Sequence, residues 1–148
     1  LALWSSFHDP KSGILSRYPH LMLSDVLDHY AAGRLALGKT LLRAQKFAEA
    51  QAEFSQAVRL GADTKQGDAL LLLGVSQSYL GACDEAIRSF REAEKISVTP
   101  DDRIPLFESF TVRDCVGDPN AADELFSKYQ DARRRSEPPL EGPRRIPQ

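Results

Sequence analysis

Cysteine is the first scarcity. Cys83 and Cys115 are the whole supply in 148 residues, and they form no C-x-x-C. Two thiols do not amount to a disulfide framework. They read as two free thiols, packed or half-exposed, and leave the compartment open. Long apolar runs are missing too, since no window approaches the ~20 apolar residues that span a bilayer. Nor is there a bulk excess of one charge. The net charge is −2, so composition does not suggest nucleic acid as a partner. The charge is uneven, however. Residues 133–148 hold five Arg and two Glu, net +3, which leaves −5 on the rest of the chain.

Catalytic signatures are also lacking. His8, His20 and His29 form neither H-x-x-x-H nor H-E-x-x-H. Asp25 and His29 stand four residues apart, the spacing of a surface ion pair on a helix and not of a metal site. There is no G-x-S-x-G, and local sequence suggests no Cys–His pairing. Carboxylate pairs such as Asp84-Glu85 read as solvated helix starts. The expectation is a protein that is not an enzyme, with no cofactor and no metal. An initiator Met is missing from "LALWSSFHD" as well. Simple truncation is the preferred reading. The lesser one is the stub of a removed membrane anchor, with Trp4 at the interface.

What is present is a globular composition, 42% hydrophobic and 27% charged, and an internal repeat. "LALGKTLLRAQKFAEAQAEFSQA" (35–57) and "LLLGVSQSYLGACDEAIRSFREA" (71–93) align residue for residue. Leu37-Gly38 matches Leu73-Gly74, Ala50 matches Ala86, Phe54 matches Phe90 and Ala57 matches Ala93, all offset by 36. A further step of 36 reaches Ala122 and Phe126, but puts Phe110 where the glycine would be. The third copy is degenerate in its first half. Small residues at 38, 50, 74 and 86 let two helices approach closely, and the phenylalanines fill the space beneath them.

Each unit reads as helix, short turn, helix. The turns fall at "AQKF", "LGACD" and "VGDP", and the longer joins "LGADTKQGD" and "SVTPDD" separate the units. Ser24-Asp25 starts the first helix, which runs to about residue 45. Asp101 or Asp102 caps a helix that tolerates Pro105 in its first turn. Asp118-Pro119 pairs an N-cap with Pro at the first helical position. Arg133–Arg135 end the last helix, complementing its dipole. "EPPLEGPRRIPQ" follows, a Pro- and Arg-rich flexible tail without the P-x-x-P spacing. The division expected is an apolar N-terminal arm (1–23), a helical repeat domain (24–135) and a tail (136–148).

The Leu-Gly pairs, the A-x-x-x-F motifs and Pro100 together resemble the tetratricopeptide repeat (TPR) family over about residues 31–130. The departures are Leu41 and Gln77 at the family's Tyr, Arg34 and Leu70 at its Trp, and a period of 36 where the family has about 34. The resemblance implies an all-α fold: about six helices in three helix–turn–helix pairs, stacked as a short α-solenoid. It implies a concave groove lined by the first helix of each pair. On that register Leu70, Leu73 and Gly74 face the repeat core. Leu35, Lys39, Leu42 and Arg43 line the groove from the first pair, Leu71 and Val75 from the second. Ile104, Phe107, Thr111 and Asp114 do so from the third. Lys39, Arg43, Asp68 and Asp114 surround an apolar centre.

Such a groove suits an amphipathic helix or an extended apolar segment. The implied function is protein–protein interaction, as an adaptor scaffold, an assembly factor or an accessory subunit of a larger complex. That complex can be membrane-bound. The family's Lys and Asn pattern for a C-terminal carboxylate is not here, because Leu35 and Leu71 occupy the Lys positions. The competing occupant is the chain's own arm, whose Trp4, Phe7, Ile14, Leu15, Tyr18, Leu21 and Leu23 can fill the groove.

One alternative belongs to another class. "GRLALGKT", Gly33–Thr40, fits the P-loop pattern G-x-x-x-x-G-K-[ST], with Lys39 for the terminal phosphates and Thr40 for Mg²⁺. The motif works only between a strand and a helix, yet "SDVLDHYAA" before it has helical spacing, and no strand ending in Asp follows. A third option, contact of the tail arginines with RNA or an anionic surface, lacks accompanying aromatics.

Overall fold

The structure, a computed structural model, describes residues 23–61, 63–97 and 99–136. Every element among the described residues is helical. The helices are α1 (Leu23–Arg43), α2 (Phe47–Leu60), α3 (Asp63–Tyr79), α4 (Cys83–Ile96), α5 (Arg103–Thr111) and α6 (Pro119–Ser136). A π-helical turn, Val112–Val116, extends α5. The arm before residue 23 and the tail after 136 lie outside the described residues. None of the described helices is long and apolar enough to cross a membrane.

Three helical hairpins follow from three like turns. Gln45, Gly81 and Gly117 take positive φ of 60°, 78° and 82°, and they are 36 residues apart. In the first, the Gln45 N–H donates to Leu42 O and the Lys46 N–H to Leu41 O. In the second, Gly81 donates to Ser78 O and Ala82 to Gln77 O. This is the Schellman arrangement, which pairs the orphan carbonyls at a helix end. Glycine adopts positive φ without strain, whereas Gln45 pays for its Cβ there.

The third turn carries one residue more. Gly117 and Asp118 both donate to Val112 O. The carbonyl that receives the outermost bond therefore steps from Leu41 to Gln77 by 36 and from Gln77 to Val112 by 35. The π turn holds the surplus residue. Three residues back from those carbonyls stand Gly38, Gly74 and Ser109. The expectation that Phe110 replaces the third glycine is thus corrected. Ser109 sits there, 2% exposed, and the inserted residue rotates Phe110 outward.

Close approach sets the first two hairpins. A Cβ built on Gly38 would lie 2.5 Å from the Phe54 ring, and one on Gly74 would lie 2.6 Å from the Phe90 ring. Neither site admits a side chain. Ala50, Phe54, Ala86 and Phe90 are all 0% exposed. In the third hairpin Ala122 is as deeply buried, but Phe126 is only half-buried and leans on Tyr129.

Of the joins, "SVTPDD" is non-helical where it is described, but "LGADTKQGD" is not a long loop. Gly61 turns the chain in extended conformation and α3 starts at Asp63. The Gln66 side chain donates to Val58 O, occupying a carbonyl at the end of α2. At the starts of α5 and α6, Asp101 Oδ1 accepts from the Arg103 N–H and Asp118 Oδ1 from the Ala121 N–H, whereas α2 and α4 follow Lys46 and Ala82 without a side-chain cap. The acidic caps are therefore in place.

Helix α3 is central, touching α1, α2, α4 and α5. That is why four consecutive leucines suit it. Leu70, Leu71 and Leu73 are buried and Leu72 is partly buried against the same core. A helix with neighbours on several sides can be apolar most of the way round. The polar groups drawn in are matched: the Ser89 hydroxyl donates to Gln77 Oε1 at 2.7 Å, and Arg34 pairs with Glu53 at 2.8 Å beside the Tyr30 ring.

Candidate functional site

The two cysteines are not free thiols. Cys83 and Cys115 form a disulfide, with Cα atoms 5.7 Å apart. The reading of two unpaired thiols fails because stacking, not sequence spacing, brings them together. Cys83 follows the turn of the second hairpin by two residues, and Cys115 precedes the turn of the third by two. When hairpin stacks on hairpin, these positions abut. Nothing in a separation of 32 residues announces it.

Beside this bond the C-terminal ends of α3 and α5 frame a cleft of about 670 Å³. Val75 and Phe107 line its apolar part, and Tyr79 and Phe110 line it while 67% and 45% exposed. A hydrogen bond of 3.0 Å joins the Thr111 and Ser78 hydroxyls across the helices. Asp114 and both cysteines complete the wall. The Tyr79 ring also stacks on Phe47, centroids 4.5 Å apart and planes 8° from parallel, which ties the α3 end to the start of α2.

The residues expected in a groove divide among several environments. Leu35, Leu71 and Val75 belong to the core cluster, with Leu71 only 1% exposed. Leu42 and Phe107 pack partly buried against it. Lys39 is half-buried and Arg43 exposed. Asp68 is half-buried and accepts from Arg103 at 2.7 Å. Ile104 and Thr111 are buried, Thr111 where it still lines the cleft together with the exposed Asp114. Of the eleven residues expected there, the cleft collects Val75, Phe107, Thr111 and Asp114. Tyr79, Phe110 and the disulfide were not legible as its walls. The register of Phe110 depends on the π turn, and the bond depends on the stacking.

The perturbed carboxylates of α5 and its start lie outside the cleft lining. Arg103 also meets Asp101 at 2.6 Å. That hydrogen bond holds the Asp101 carboxyl below its usual range and raises the guanidinium. Glu108 is buried in α5, which pushes its carboxyl pKa up. Arg91 at 3.7 Å offsets this in part. No group of three or more His, Cys, Asp or Glu fit to hold a metal occurs among the described residues. The segment Gly33–Thr40 lies inside α1. Its backbone amides are there engaged in helical hydrogen bonds, so cradling a phosphate would require unwinding.

No protein-family model matches the chain, and neither does any curated protein or solved structure.

Proposed function

We propose that this chain is a protein-interaction module of the TPR kind. Its three hairpins stack as a short α-solenoid whose concave side receives a helix or apolar segment of a partner protein. The role is that of an adaptor, assembly factor or accessory subunit, without catalysis or cofactor. The observation that carries the reading is the cleft between α3 and α5. There two aromatic side chains, Tyr79 and Phe110, stay exposed over an apolar floor. Aromatic residues at the mouth of a pocket are typical anchors of binding energy. On the repeat register Lys39, Leu42 and Arg43 would extend this surface toward the first hairpin, and Asp114, in the cleft wall, offers a carboxylate to a basic group beside the apolar anchor.

The test is affinity capture from the native source with three forms of the chain. The native form and Lys39→Ala should retain the same partner, while Phe110→Glu should lose it. Phe110 is exposed, so its substitution leaves the core intact. Capture indifferent to Phe110→Glu would reject the cleft as the docking surface. Micromolar binding of ATP with Mg²⁺, abolished by Lys39→Ala, would replace this function with the nucleotide-binding alternative.

A further inference from the structure

The Cys83–Cys115 bond stands where it can control whether the cleft exists. Cys83 opens α4 and Cys115 lies in the π turn, so the bond joins the second hairpin to the third. Both cysteines line the cleft, and both are half-buried and not sealed in the core.

The other ties on the third hairpin are weak. Ile104, Val112 and Ala122 are its fully buried apolar side chains among the described residues, and of these α6 supplies Ala122 alone. Among the described residues its polar ties to the second hairpin are the Thr111–Ser78 hydrogen bond and the ion pairs Arg103–Asp68 and Arg91–Glu108. The arginine side chains in them are 52% and 68% exposed, and such pairs contribute little. Burial of the Glu108 carboxylate works against the packing. The core around Phe54, Leu71 and Phe90 is built mainly by the first four helices; among the described residues the third hairpin adds Ile104 to it, with Phe107 packed partly buried against it. Against so thin a set, the covalent closure of a 32-residue separation is the dominant constraint.

We propose that this disulfide is a redox latch on the third hairpin. When it is reduced, α5 and α6 leave the face of α4, the first four helices stay folded, and the cleft disappears with its wall. The reductant is a dithiol. One of its thiolates attacks a cysteine sulfur, forming a mixed disulfide and releasing the other cysteine as a thiolate. Its second thiol then displaces the remaining cysteine. Cys83 and Cys115 together gain two electrons and two protons, and the reductant leaves as its own disulfide. The inference rests on the binding reading only for its consequence, loss of docking.

Hydrogen–deuterium exchange of the full chain, read by mass spectrometry before and after dithiothreitol, tests it. Peptides within 103–134 should exchange faster by roughly tenfold or more after reduction, while those within 31–60 and 69–94 change little. Reoxidation with glutathione disulfide should restore protection. The double variant Cys83→Ala, Cys115→Ala should show the fast pattern without reductant. Three results would overturn the latch. The bond resists dithiothreitol in the folded chain, so that no thiol becomes available for alkylation. The third hairpin stays protected with both thiols alkylated. Or all six helices lose protection together, which makes the bond a staple of the whole fold. No partner enters these readouts, so failed capture by the cleft and failure of the latch are separate outcomes.

Discussion

In the second hairpin Gly74 brings α3 so near α4 that the Phe90 ring fills the whole contact. In the third, Ser109 holds the matching place, Phe126 is half-buried, and a π turn and a disulfide stand close by. Both pairs form, but by different means. Shape complementarity secures one, and a covalent tie supplements loose packing in the other. A loosely packed hairpin need not be an unfolded one, provided another constraint supplies what its core does not.

The widest gap should appear on deleting the aromatic rings. Phe90→Ala is expected to cost about 3–5 kcal/mol, and Phe126→Ala less than half of that, because part of its ring is already in water. Urea denaturation of the two variants measures both, and equal losses would erase the distinction between the hairpins. Enlarging the small residues comes next. Ala86→Leu should cost about 1–3 kcal/mol by overpacking, while Ala82→Leu, in the turn, should shift the midpoint much less. Similar shifts would mean that the α3–α4 contact is misplaced.

Glu108 sharpens the comparison through pH. Its carboxyl pKa is raised in the folded chain, so the fold prefers the protonated form. The stability this gives is complete below the ordinary Glu range and is lost as pH rises through the folded value. Glu108→Gln should therefore raise the melting temperature at pH 7 and give little gain near pH 4. Asp101, lowered by Arg103, works in the opposite sense, adding stability above its ordinary range that is lost on acidification. A Glu108→Gln gain that is the same at both pH values would exclude titration as its cause. The smallest effect belongs to the turns. Gln45→Gly should stabilise by a few tenths of a kcal/mol to about 1 kcal/mol, by relieving a non-glycine residue at positive φ. Gly81→Ala should destabilise by a similar amount, and differential scanning calorimetry resolves both.

Much of the fold could be read from residue types. The 36-residue echo of Leu-Gly and A-x-x-x-F located the Gly38–Phe54 and Gly74–Phe90 contacts, because a missing side chain and a ring are complementary shapes. Asp118-Pro119 marked the start of α6 within a residue. What stayed hidden depends on three-dimensional neighbours. The helix through Asp63–Asp68 reads as loop in the sequence because polar residues and Gly67 carry no periodicity. The π turn has no composition signal, and an extra residue there reassigns every position of α5 upstream of it, Phe110 included. The disulfide needs two hairpins already stacked. Of the cleft, Val75, Phe107, Thr111 and Asp114 are legible through the repeat register, whereas Tyr79 at the helix end is not.

The third hairpin turn differs from the second by one surplus residue, held in the π turn. Deleting Arg113, which is exposed and pairs only at the surface with Asp123, tests it most directly. Removing a residue from a regular helix rotates everything upstream by about 100°. Removing the surplus one should instead turn the π segment into ordinary helix, leaving Ser109 against α6 and Cys115 against Cys83. The measurement is the thiol count of the folded deletion variant together with its melting temperature. The account predicts no free thiols and a melting temperature within a few degrees of the parent. Two free thiols, or loss of the cooperative transition, would contradict it.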